Sequence, residues 1–161
     1  MHRTRSFLPT RTQGFTLVEL MLAVLIATIL AAVAYPAYSA QVQRARRADA
    51  HAALTTILQA QERHRSNAPT YAGSLLTDLK LDVSKITPHY QVSLRGAGPN
   101  GGFDAGYVAV ATPTPGGRQA TDRACQRLTL TVTGAMPSFT ASGDPDGSGT
   151  VRDTSSQCWP K

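Results

Sequence analysis

Cysteine occurs only twice in the 161 residues, at Cys125 and Cys158. No second pair exists, and no histidine stands at zinc-ligand spacing from either, which argues against a structural metal site. The four histidines, His2, His51, His64 and His89, are scattered, with no nucleophile motif beside them. No catalytic constellation is legible, no cofactor is implied, and the chain is read as a non-enzyme. A phosphate-cradling glycine loop is also missing, so any ATP-driven step belongs to another protein. Aromatic residues make up only 6% of the chain, so few large side chains are available for a core. Charged residues are sparse at 16%, yet the apolar share of 42% is that of a folded protein, not a disordered one. A chain of this length suits one modest core plus an appended element.

Acidic residues are absent from the first fourteen positions, MHRTRSFLPTRTQG, where Arg3, Arg5 and Arg11 carry half of the formal net charge of +6. The remaining balance does not by itself argue for nucleic-acid binding. An apolar run follows, from Phe15 to Tyr35, FTLVELMLAVLIATILAAVAY. As a helix it spans about 31 Å, enough for a bilayer core. A secretory signal would be cut after such a run. Here the composition breaks before it, between Gly14 and Phe15. A plain anchor would leave Glu19 unexplained, since a charge inside a membrane helix costs on the order of 2.5–3.5 kcal/mol and usually has a partner. Snorkelling toward the headgroups is the alternative for an acid this close to the end of the run.

The segment Gly14-Phe15-Thr16-Leu17-Val18-Glu19-Leu20 resembles the prepilin cleavage motif of type IV pilins and type II secretion pseudopilins. The resemblance implies cleavage between Gly14 and Phe15 by a prepilin peptidase, followed by N-methylation of Phe15. It also implies that Glu19 of one subunit neutralises the Phe15 amine of a neighbour during assembly. Positive charge is nearly balanced across the run, because Arg44, Arg46 and Arg47 follow it. The cytoplasmic placement of the leader therefore comes from the resemblance. So does the itinerary: bacterial inner membrane as a single-pass protein, then extracellular pilus.

Pro36 is expected to kink or locally unwind the helix. Beyond it, residues 37–66 are rich in helix formers. Ala50, Leu54, Ile57, Leu58 and Gln61 form one moderately apolar face, with Arg44, Arg47, Gln59, Arg63 and Arg65 expected opposite. The stretch Tyr35-Pro36-Ala37-Tyr38 with Arg44-Ala45-Arg46-Arg47-Ala48-Asp49-Ala50 looks like the helix of PilE-type pilins, which favours a pilus over a secretion system; a minor rather than a major subunit is expected.

Residues 67–89 read as a loop with a helical turn near Leu75–Leu79. Alternation in Tyr90–Leu94, Tyr107–Ala111 and Leu128–Val132 predicts half-buried strands, with a weaker one over Pro137–Ala141 and a glycine-rich turn over 96–106. The expected fold is α+β, a long N-terminal helix on a three- or four-stranded antiparallel sheet, as in pilins. Its parts are a leader (1–14), a transmembrane and fibre-core helix (15–36) and a globular domain (37–161). That domain divides into helix 37–66, loop 67–89, sheet 90–141 and a C-terminal region at 125–158. In an exported domain Cys125 and Cys158 are expected to pair, like the disulfide-bounded C-terminal region of pilins.

Two features admit more than one reading. Asp144, Asp146 and Ser148 space their oxygens as in the first half of a calcium loop, but Ser155 stands where the closing Glu belongs; a hydrophilic turn is the other reading. Arg118, Arg123 and Arg127 form a basic patch beside Cys125 that could contact DNA, as could Arg44, Arg46 and Arg47. No aromatics interleave with either group. For the second group, lipid headgroups or an acidic neighbour in the fibre are the other readings. The partners expected are other pilin subunits, the peptidase, the inner-membrane assembly machinery and, as an alternative, DNA. A secretion pseudopilin and a single-pass anchored enzyme are the remaining alternatives. If the motif is processed as it implies, intact-mass analysis of purified filaments will show a chain beginning at methylated Phe15; a chain retaining residues 1–14 refutes that processing.

Overall fold

The computed structural model describes residues 14–134 and 136–159. They fall into two compact units, one ending at Ala40 and the other beginning at Gln41. A single helix, α1 (Leu17–Arg65), supplies residues to both. It carries on through Pro36, so the expected unwinding there does not occur. The ring removes only one backbone donor, and the turns on either side keep the ladder. The Thr16 hydroxyl accepts the Glu19 backbone N–H at 3.2 Å and so caps the start of the helix.

In the first unit the apolar side chains stand exposed, Leu17 at 74% and Val33 at 73% of their surface among them. This part of α1 is long and apolar enough to cross a membrane. In the second unit α1 has one buried stripe, Ala50, Ala53, Leu54, Ile57, Ala60 and Gln61, at three- and four-residue spacing. Leu54 and Ile57 are wholly buried, each worth about 1.5–3 kcal/mol relative to exposure.

The stripe shares its core with an antiparallel meander. The strands are β1 (Tyr90–Gly96), β2 (Gly106–Pro113), β3 (Arg127–Thr133), β4 (Met136–Gly143) and β5 (Arg152–Asp153), hydrogen-bonded in chain order. The sheet thus has five strands rather than three or four. The fifth is only two residues long, pairing Ser142 with Asp153 and Gly143 with Arg152, too short to show any alternation. In β3 the leucines and valine at 128, 130 and 132 are buried, while Thr129 and Thr131 face the other way. At the start of β2, Gly106 adopts φ +156°, and any Cβ there would meet the Val132 carbonyl oxygen.

The long loop after α1 is fixed by a buried amide. Gln61 donates to the Ala72 carbonyl at 2.9 Å and accepts the Ala72 N–H at 2.8 Å. It is therefore the polar clamp of a stripe that otherwise supplies apolar contact. The expected turn over the core is present, with Leu75 and Leu81 packed against it and a 3-10 turn at Val83–Lys85.

Arg47 departs from expectation. It does not lie on the solvent face of α1. Its guanidinium makes a bidentate pair with Asp122, Nε to Oδ2 at 2.6 Å and a terminal nitrogen to Oδ1 at 2.7 Å. The two side chains are 15% and 2% exposed. The spacing explains the placement: residues 47, 50, 54, 57 and 61 are one stripe, with arginine at its end. Gln119 donates to the same carboxylate at 2.9 Å and to the Tyr90 hydroxyl at 3.0 Å, and burial pushes the Tyr90 phenol up to about 12. Removing one partner of such a pair strands a buried charge. Asp122→Ala should therefore cost about 3–5 kcal/mol in urea unfolding, and Arg47→Met with Asp122→Leu should recover much of it. A loss below about 1 kcal/mol, the worth of a surface pair, would contradict the burial.

Candidate functional site

Three groups of residues carry the candidate chemistry. At the start of the described chain, Gly14 and Phe15 are exposed and precede α1, and Glu19 sits exposed in its first turn. The peptide bond between Gly14 and Phe15 thus lies outside regular structure, immediately before the apolar run.

The second group surrounds the disulfide. Cys125 and Cys158 are bonded, with their Cα atoms 5.8 Å apart, as expected for an exported domain. The bridge joins the segment before β3 to the short helix α2 (Ser155–Cys158). Thr154 lies beneath it, its hydroxyl donating to the Ala124 carbonyl at 2.6 Å. The close approach of β4 requires Gly143, where a Cβ would meet the carbonyl oxygens of Ala124 and Arg123.

Arg118, Arg123 and Arg127, from the segment on either side of Cys125, are all exposed. Arg118 opens a 3-10 turn at Arg118–Thr121, Arg127 begins β3, and the Arg123 guanidinium lies against Gly147. A fourth cation, Arg152 of β5, comes to the same region through the sheet and pairs with Asp146 at 2.8 Å. The sequence alone did not place Arg152 there, because a two-residue strand brings it.

The Asp144–Gly149 loop is organised by its own hydrogen bonds. Asp144 accepts the backbone N–H groups of Ser148 at 2.9 Å and Gly149 at 2.8 Å. The Ser148 hydroxyl donates to Asp146 at 3.1 Å. With Asp146 also facing Arg152, these carboxylates serve internal donors, as a hydrophilic turn requires. Asp153 is directed elsewhere: hydrogen bonds from the Ser155 side chain and backbone hold its carboxyl below the usual range. Among the described residues no cluster of three or more His, Cys, Asp or Glu side chains could hold a metal.

A third constellation has no forerunner in the sequence reading. The His51 ring of α1 stacks on Trp159, centroids 4.2 Å apart, and Phe139 meets Trp159 edge-on at 4.9 Å. His51 and Trp159 are 108 positions apart in the chain, so no local pattern links them. Burial and the neighbouring Arg47 push the His51 imidazole below its ordinary value.

An apolar helix with a capped acidic first turn, continuing into a domain of one helix face on an antiparallel meander closed by a C-terminal disulfide, defines a type IV pilin. The N-terminal sequence agrees: residues 9–35 match the prokaryotic N-terminal methylation motif. The rest of the match is more particular. Residues 36–129 match the family described as type IV minor pilin ComP, DNA uptake sequence receptor, and the chain belongs to that family. No curated protein and no solved structure matches it.

The His51 stack predicts a pH dependence. Folding lowers the pKa of His51 from 6.5, so as pH falls the unfolded ring takes up a proton before the folded one does. Stability is complete above that value and is lost as pH falls toward the depressed folded value. Urea titrations of the full chain in detergent, read by the emission of Trp159, should show a midpoint that falls below about pH 6.5. His51→Phe should flatten that decline; an unchanged decline would assign it to other groups.

Proposed function

We infer that this minor pilin acts in DNA uptake, with the exported domain binding DNA through Arg118, Arg123 and Arg127. The observation that carries the reading is the family match, which runs from Pro36 into β3 and includes all three arginines. Their exposure supports it, since phosphate contacts need free guanidinium groups. Arg47 is removed from the DNA reading, because its guanidinium is committed to Asp122. The domain supplies electrostatic attraction to the phosphate backbone, which gives affinity and salt dependence.

The same reading sets the path to the fibre. The leader of residues 1–14 is removed, Phe15 is methylated, and the chain waits in the bacterial inner membrane until assembly. Glu19 then pairs with the Phe15 amine of an adjoining subunit, which relieves two charges in an apolar bundle at once. The partners are other pilin subunits, the prepilin peptidase and the assembly machinery. No catalytic role is assigned to the chain.

The test is salt-dependent DNA binding by the full chain in detergent micelles, using a duplex oligonucleotide. Each of Arg118→Gln, Arg123→Gln and Arg127→Gln should weaken binding and flatten the slope of log affinity against log salt by about one. A triple variant with the affinity and slope of the parent would remove DNA from this patch.

A further inference from the structure

Within the second unit lies a cleft of about 260 Å³, walled on one side by Arg44, Arg47, Ala48 and His51 of α1 and on the other by Gln157, Cys158 and Trp159. Among the described residues no acidic side chain lines it. Arg47 is held by Asp122 and also reaches the Gln157 carbonyl at 3.4 Å. Arg44 is exposed and has no carboxylate within ion-pair distance among the described residues. The remaining wall is apolar: the Ala48 methyl, the Trp159 ring and the disulfide. A group that fits this lining carries an anion beside a hydrocarbon shoulder.

We propose that this cleft seats the phosphate of an anionic lipid headgroup while the chain is anchored in the membrane before assembly. Its place along the chain favours that occupant. The apolar run ends at Tyr35, and Tyr35 and Tyr38 are 74% and 70% exposed, the amphipathic residues typical of a membrane interface. Arg44 follows Tyr35 by nine positions along the chain, and a long arginine stem suits a charge close to a membrane interface. A DNA backbone is the poorer fit, because it presents a track of phosphates without an apolar shoulder and here meets one uncommitted arginine in the wall. Trp159 already stacks on His51 and meets Phe139 edge-on, which leaves less of its ring for a base to stack on.

The proposal rests on the membrane-anchored stage of the reading above, and the experiment separates the two. The full chain is reconstituted in nanodiscs of phosphatidylcholine, with and without phosphatidylglycerol. Trp159 is the chain's single tryptophan and reports directly from the cleft wall. Its emission should change as phosphatidylglycerol is titrated in, and Arg44→Gln should raise the mole fraction needed by about fivefold, the weight of one arginine at an anionic surface. Arg44 has no structural partner among the described residues, so unchanged circular dichroism is expected of the variant. Emission that ignores phosphatidylglycerol, or that responds equally in Arg44→Gln, overturns the cleft as a lipid site and leaves the anchor intact. An equal response to inorganic phosphate, or to duplex DNA in neutral discs, overturns it in favour of those ligands. Failure to enter nanodiscs at all overturns both the proposal and the anchor beneath it.

Discussion

The second unit is organised around a buried charge pair. Asp122 is 2% exposed, and burying a carboxylate is costly unless it is paired and hydrogen-bonded. Arg47 gives it two hydrogen bonds from α1, and Gln119 gives a third. Through the same residues the helix is tied to the β1 tyrosine, to the turn before the disulfide and to the backbone of α2. An apolar stripe can slide by a turn against a sheet at modest cost. A bidentate pair cannot, so Arg47 sets the register in which Ala50, Leu54 and Ile57 meet the strands. Burial of such a pair adds little net stability over an apolar substitute; its contribution here is to make one docking of the helix far better than its neighbours.

Much of this arrangement was legible in the sequence because it depends on local periodicity. The apolar run, the helix face from Ala50 to Gln61 and the three alternating strands all follow from patterns within a few residues, and the disulfide follows from there being two cysteines in an exported domain. Arg47 was misplaced because charge was weighed above spacing: it continues the three-four stripe, but arginine reads as a surface residue until its acid is known. Asp122 gave no sign of being that acid, since it lies in a turn of polar residues 75 positions away. The His51–Trp159 stack and the arrival of Arg152 beside Arg123 are equally non-local. Pro36 does not end the helix, because a proline weakens one turn and a helix of 49 residues has many others on either side.

Charge in this protein is sorted by what each group can reach. Arg47 is consumed by the fold, and Arg152 is paired across the turn that the calcium spacing first suggested. Arg118, Arg123 and Arg127 remain exposed on a surface that the disulfide holds together. The bridge spans 33 positions, and closing a loop of that size is worth about 4 kcal/mol in the chain-entropy model. The segment it encloses holds β3, which gives Leu128, Leu130 and Val132 to the core, and a polar turn rich in glycine, serine and aspartate. Beyond that turn, Trp159 stacks on His51 and meets Phe139 edge-on. Arg127 therefore stands at the head of a core strand, and Arg123 lies beside the polar turn.

The two family matches meet between Tyr35 and Pro36, and the physics of α1 changes close by. Up to Tyr35 the side chains are apolar on every side, with Glu19 the single charge, as a helix must be when lipid or other helices surround it. From Gln41 onward the helix belongs to the other compact unit, and its apolar residues narrow to one stripe with charge around the rest. Backbone continuity lets one helix serve two solvents, but the sequence rules for the two halves are independent. In the first half almost any apolar residue preserves that character. In the second, each stripe position meets a specific neighbour, down to the amide of Gln61 and the guanidinium of Arg47. A change in the first half is therefore felt in the membrane and the fibre, and a change in the second is felt in the folding of the domain.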